Sequence, residues 1–299
     1  MINLRRTALL ICALALAVVA PAAQPRPQTA AGQNPARERV LLGLKLRPEV
    51  AAWLEEVERK LGREVYAEFA QLGPEDGGEG FVGGENYVTE RGAAVIRINF
   101  NFQTAANRKR LEATLTHEIL HLRQRARGFP AFMFDEAGSS PRVPLGELNE
   151  MELTGALMEA VEHHAILPDL HRLGLDTVAD MIGGLAWTRG KGVSPDHPLH
   201  AIYYLRAMLE YNDPARLREL EQIYRRNRWA RSLQRGARIA QIIRSASLST
   251  PAEMTTVYLR CLTELFGGLY RFTARPAPSQ FPRDRIFPTI PVAVTFTRR

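Results

Sequence analysis

Thr116-His117-Glu118-Ile119-Leu120-His121 lies within residues 104–127, a stretch whose apolar side chains recur at helical spacing and which ends at Gly128 and Pro130. Residues four apart on a helix are separated by about 40° around the axis and one turn along it, so His117 and His121 point the same way. Two imidazole nitrogens so placed can reach one Zn²⁺ at roughly 2.0–2.1 Å. Glu118 falls about 60° round from His121, too far for easy ligation but close enough to hydrogen-bond a water held by the metal. Two ligands and a general base at this spacing are what metal-assisted hydrolysis requires. Leu111, Leu115, Ile119 and Leu122 form a stripe roughly 80° wide, and the histidine pair lies roughly 100–160° round from it. The helix can therefore bury one side in a core and present its histidines to a cleft.

Upstream, Pro48 opens a helix running to about Leu61, with Val50, Leu54, Val57 and Leu61 on one stripe and Gly62 as its stop. Residues 64–69 alternate as a strand, and 73–84 form a Gly/Pro/acidic loop. Residues 87–90 and 94–100 read as a hairpin around Arg91-Gly92, with Ile96, Ile98 and Phe100 on one face. Downstream, 129–148 reads as an irregular loop whose apolar run, Phe129-Pro130-Ala131-Phe132-Met133-Phe134, suits a pocket lining. An amphipathic helix follows from Asn149 to about Leu167. The chain then stays mainly helical to Leu269, broken at Pro168, Gly174, Gly183-Gly184, 189–198, Asn212-Asp213-Pro214 and Ser249-Thr250-Pro251. The pattern predicts an α+β fold, a small and mostly antiparallel sheet packed on the histidine-bearing helix, followed by a mainly helical C-terminal half. Its expected divisions are a signal peptide (1–22), a flexible leader (23–46), a catalytic core (47–167), a helical subdomain (168–273) and a Pro-rich tail (274–299).

The 299 residues are 45% hydrophobic and 24% charged, enough apolar mass for one large domain or two small ones. The net charge of +7 comes almost wholly from arginine, Lys45, Lys60, Lys109 and Lys191 being the lysines. The charges are scattered apart from Arg225, Arg226, Arg228 and Arg231 and the run 108–110. No nucleic-acid motif accompanies them, so a nucleic-acid partner is not expected. Arg5 and Arg6 precede an apolar run, Thr7 to Ala20, too short for an ordinary membrane span, and Ala20-Pro21-Ala22 offers a peptidase site. These features predict cleavage near Ala22 and export to the periplasm or the exterior, with no stable membrane insertion afterwards. Loss of Cys12 with that segment leaves Cys261 alone, so no internal disulfide forms and Cys261 reads as a core residue. Oligomeric state leaves no mark on the sequence.

A catalytic zinc takes three protein ligands and keeps one position open. The metzincin pattern is excluded by Gln124 and Arg127, which stand where its glycine and third histidine would be. The other common solution is a glutamate on the next helix, and Glu150, Glu152, Glu159 and Glu162 follow. Glu150 shares the apolar face with Leu153, Thr154, Leu157 and Val161, where a carboxylate is costly unless paired or metal-bound. Glu152 and Glu159 lie on the opposite side with His163 and are the alternates. His163, His164 and His171 read as helix-surface residues. Further on, Asp196-His197-Pro198-Leu199-His200 and the Tyr203-Tyr204 pair offer donors for an oxyanion, with His197, His200 and Tyr203 as the candidates.

On His117, Glu118, His121 and the Asn149-Glu150 step, the chain resembles the gluzincins, zinc peptidases in which His-Glu-x-x-His is followed by a glutamate on a later helix. The upstream hairpin is similar to that family's sheet, whose edge strand binds extended peptide. The chain departs from the family at Thr154, where an Asp usually orients a ligand histidine, and Asp135 and Glu136 are loop candidates for that task. The resemblance implies an exported hydrolase with one Zn²⁺ on His117, His121 and Glu150, Glu118 as general base, and a peptide or protein as substrate. The rival expectation is a non-catalytic helical binding scaffold with a structural or decayed zinc site, drawn from the length of the helical half.

Overall fold

A computed structural model describes residues 38–72, 83–88, 93–134, 150–175, 197–210, 214–268, 270–276 and 292–298. The signal segment, Asp135, Glu136, Gly183-Gly184 and most of the Pro-rich tail lie outside the described residues. The fold is α+β. A short pair, β1 (Val40–Leu41) and β2 (Leu44–Lys45), is followed by helix α1 (Pro48–Leu61), which the Pro48 and Gly62 signals delimit as expected, Gly62 closing it at φ 65°. Strands β3 (Val65–Ala70), β4 (Gly84–Val88) and β5 (Ala94–Asn99) then build a three-stranded sheet in the order β3-β5-β4. Strand β4 pairs antiparallel with β5 as expected, although it starts at Gly84, three residues before the expected strand, and residues 89–92 lie outside the described residues; β3 pairs with β5 in parallel. The sheet is therefore mixed. Alternation cannot reveal strand order; what places β5 centrally is burial of both its faces, with Ala94, Val95, Ile96, Ile98 and Asn99 all buried. Phe100 leaves that strand for a 3-10 turn, stays exposed, and stacks on Phe69 with ring centroids 6.3 Å apart.

The His-Glu-x-x-His helix, α2 (Arg108–Ala126), starts a few residues later than its periodicity suggested, behind 3-10 turns at 100–102 and 105–107. Its expected stripe, Leu111, Leu115, Ile119 and Leu122, packs with Val50, Trp53, Leu54 and Val57 of α1 and with Ile96 and Ile98 of β5. This sheet-side cluster anchors the motif. A buried leucine here is worth about 2–5 kcal/mol against alanine, so α2 is a rigid platform.

The helical side holds α3 (Glu150–Arg172), α4 (Pro198–Glu210), α5 (Pro214–Arg226), α6 (Ala230–Arg244) and α7 (Pro251–Leu265). Its own cluster gathers Leu153, Leu157, Ala160 and Val161 of α3 with Ile202 and Leu205 of α4, Ile239 and Ile243 of α6, and Tyr258, Cys261 and Leu262 of α7. Cys261 is fully buried there, and burial pushes its thiol up to about 12. Pro168 was expected to end α3, yet the helix passes through it to Arg172. Ile166 and Leu170, on either side, are buried in the sheet-side cluster, which offsets the roughly 3 kcal/mol a helix-interior proline costs. Helix α3 thus spans both clusters. Thr250 and Glu253 cap α7 reciprocally, the Thr250 side chain accepting from the Glu253 N–H at 3.2 Å.

A second three-stranded sheet was not anticipated. Strands β6 (Phe132–Phe134) and β7 (Tyr270–Pro276) flank β8 (Val292–Arg298), β6 in parallel and β7 antiparallel. The end of the tail is therefore a sheet strand, and part of the supposed loop pairs with it. Phe132 stacks on Tyr258 at 4.0 Å and Phe129 is buried, so these two aromatics pack the core rather than line a pocket. No helix among the described residues is long and apolar enough to cross a membrane.

Candidate metal centre

Helices α2 and α3 bring three histidines together. His117 and His121 carry their Nε2 atoms to within 3.0 Å of each other, close to the roughly 3.3 Å separating two nitrogens on one tetrahedral ion. His163 of α3 completes the group, its ring centroid 4.8 Å from that of His117 and 5.3 Å from that of His121. One potential ligand atom from each of the three lies within 4.8 Å of the others, a group that could hold a metal ion. His163 was expected on the helix surface, with His164 and His171. It is buried, because α3 is covered on the side opposite its apolar stripe as well: α4 lies there, with Arg206 and Glu210. His171 is exposed, and His164 is partly buried.

Carboxylates stand behind the imidazoles. Glu210, wholly buried on α4, places Oε1 3.1 Å from His163 Nδ1. Glu162, also buried, places Oε2 3.8 Å from His121 Nδ1 and receives Arg125 Nη2 at 2.7 Å. Neither role was read from the sequence; the available signal was the position of Glu162 beside His163 inside a helix with two buried sides. His117 Nδ1 is buried with no hydrogen-bond partner among the described residues.

Burial sets the protonation of the group. It holds His117 and His121 well below the usual imidazole range, and it lowers His163 to about 3, with the Arg206 charge adding to the effect. Three neutral imidazoles offering lone pairs into one space are a ligand set; three protonated ones could not share it. Arg206 is itself buried, its Nη1 3.2 Å from Glu159 and its Nε 3.5 Å from Glu210.

Glu118 points toward β4. Asn86 Nδ2 donates to its Oε2 at 2.6 Å, a residue the motif alone does not reveal. Gly84 makes the close approach possible, since a Cβ there would lie 2.8 Å from Thr114 Cγ2 and 3.1 Å from Glu118 Oε1. Burial raises the Glu118 carboxyl to about 7, against the pull of Asn86 and with a push from Glu85 and Glu159. A base poised near neutrality on the motif helix suits proton transfer.

The expected third ligands are placed as follows. Glu150 opens α3, thirteen positions before His163, which corresponds to about 20 Å along a helix axis. The side chains of Glu150 and Glu152 lie outside the described residues. Glu159 stands one turn before His163, exposed and held by Arg206, outside the histidine group. Of the oxyanion candidates, His197 accepts the Leu199 N–H on its Nδ1 at 3.2 Å, at the start of α4. His200 stacks on Trp229 at 3.8 Å, and Tyr203 is buried in the helical-side cluster. None of the three belongs to the histidine group.

Comparison with known proteins finds no matching protein family, no matching curated protein and no matching solved structure.

Proposed function

We propose that the chain is an exported zinc-dependent hydrolase acting on peptide bonds, with His117, His121 and His163 as metal ligands and Glu118 as general base. The observation that carries this reading is the convergence of three buried imidazoles from two helices, two of them on the helix that also carries the buried Glu118 carboxyl. Imidazole nitrogens suit zinc, and three of them leave one position of a tetrahedron open. Buried carboxyls stand beside the group: Glu162 and Glu210 lie against His121 and His163, and burial holds both above the ordinary carboxyl value, so a bound dication would draw them toward the charged form.

Bound zinc would supply Lewis-acid polarisation of a carbonyl and acidify a water. The protein's own part is proton traffic and orientation. Glu118, fixed through Oε2 by Asn86, takes a proton from the attacking water and delivers it to the leaving amine. Strand β4, which carries Asn86, pairs only with β5 among the described residues, so its outer edge is where an extended peptide would add as a further strand. Export rests on the Arg5-Arg6, apolar-run and Ala20-Pro21-Ala22 pattern.

The test is zinc content of protein beginning after Ala22, with cleavage of a mixed peptide library by it and by Glu118→Gln. One zinc per chain, with cleavage lost in the variant, is the expected result. A variant that binds zinc and still cleaves fully would overturn the reading. Zinc without cleavage by either protein would favour the helical scaffold with a structural metal.

A further inference from the structure

Resting on the metal reading above, we propose that α4 is a positioning element for the third ligand: Glu210 fixes the His163 ring so that its Nε2 faces the ion, and Arg206 locks Glu210 in place. A neutral imidazole carries one N–H, so a proton held on Nδ1 leaves Nε2 as a bare lone pair. His163 Nδ1 lies 3.1 Å from Glu210 Oε1, within reach for an Nδ1–H to donate to it. The ring is thus aimed from behind by a carboxylate, an arrangement that orients metal-bound histidines and raises their basicity.

The burial of this arrangement argues that it serves more than stability. Glu210 is fully buried, and its Oε2 has no hydrogen-bond partner among the described residues. A buried carboxylate–guanidinium pair is often matched or exceeded in stability by apolar residues of similar size. Apolar residues at both positions 206 and 210 would pack with less desolvation cost, but they could not hold His163. Arg206 touches both Glu210, one turn along α4, and Glu159, one turn before His163 on α3. It therefore braces Glu210 within α4 and ties α4 to α3 through Glu159.

The large helical half gains a task from this. Helix α4 is set in place by α6, whose Gly236 meets it backbone to backbone. A Cβ at Gly236 would lie 2.6 Å from the Ala201 carbonyl oxygen and 3.2 Å from Leu205 N. Ser232 and Ala240, one turn to either side, are buried and small, which continues the close approach. The chain of support runs from α6 through α4 to His163, whereas His117 and His121 stand on the separately anchored α2.

Two measurements test this on the full chain beginning after Ala22. Zinc affinity of the wild type, Glu210→Gln and Glu210→Leu is obtained by chelator competition, with thermal unfolding in parallel. The tautomer of His163 is read by ¹⁵N NMR in metal-free protein. The expected result is an Nδ1–H tautomer in the wild type that is lost in Glu210→Leu. Zinc affinity should fall about 10–100-fold in both variants, while Glu210→Leu, which leaves the buried Arg206 with Glu159 alone, also unfolds earlier than the wild type. Wild-type zinc binding with unchanged affinity in the variants, or an Nε2–H tautomer in the wild type, would overturn the positioning role and leave the metal reading standing. A wild type that binds no zinc would overturn both.

Discussion

His163 and His200 are both buried histidines on helices of the same half of the molecule, and their surroundings give them opposite meanings. His163 has a carboxylate at Nδ1 and two further imidazoles beside its ring. His200 lies flat against Trp229, at an interplanar angle of 20°, with Tyr224 edge-on to it. The Tyr224 hydroxyl donates to the His200 backbone carbonyl at 2.8 Å, fastening α5 to α4. One histidine has a carboxyl against its Nδ1, and the other has aromatic faces against its ring. Burial alone does not single out a candidate ligand; the two further imidazoles beside His163 do.

The sharpest way to break this contrast lies on the motif helix. Glu118→Gln should lower peptide turnover about 10²–10⁴-fold while zinc stays bound, as steady-state kinetics with metal analysis would show. Next is the histidine pair itself. His163→Ala should weaken zinc by more than about 100-fold, and His200→Ala should leave zinc affinity unchanged while lowering unfolding stability by about 1–3 kcal/mol. Equal effects of the two substitutions on zinc would erase the distinction. Gly236→Ala should cost about 1–3 kcal/mol in chemical denaturation, because its new methyl meets the α4 backbone rather than a movable side chain.

The smallest effect concerns the sheet side. Glu56 joins α1 to α2 through Arg127 and Arg123, at 2.7 and 2.8 Å, and these hold its carboxyl down at about 2 against an ordinary 4.5. A carboxylate whose folded value is depressed contributes stability that is fully present above 4.5 and is lost as pH falls through 2. Glu56→Gln should therefore melt earlier than the wild type at neutral pH, and the gap in melting temperature should shrink between pH 4.5 and pH 2. A gap independent of pH would mean that the ion pairs do not act through the charge of Glu56.

Much of the sheet side was legible in the sequence. Helix α1 has the bounds that Pro48 and Gly62 announce, and the α2 stripe is buried at each of its four positions. Local rules sufficed there because one face is apolar and the other is not. Helix α3 defeated the same rules. A wheel that places Glu159 and His163 opposite the apolar stripe implies a solvent face, whereas α4 covers part of that face and supplies partners more than forty residues away in sequence. Pro168 misled for a related reason, since tertiary burial at Ile166 and Leu170 outweighs its local preference. Sheet β6-β8-β7 escaped because its strands are drawn from three distant parts of the chain, and parallel pairing leaves no hairpin signature. Of the candidate site, His117, Glu118 and His121 were readable from spacing, but Asn86, Glu162, His163 and Glu210 emerge only from contacts between elements.

X-ray absorption at the zinc edge of metal-loaded protein would count the imidazoles around the ion. Three imidazoles are expected on the ion, falling to two in His163→Ala. Two imidazoles and a carboxylate in the wild type, unchanged by His163→Ala and lost in Glu150→Gln, would contradict the three-histidine site.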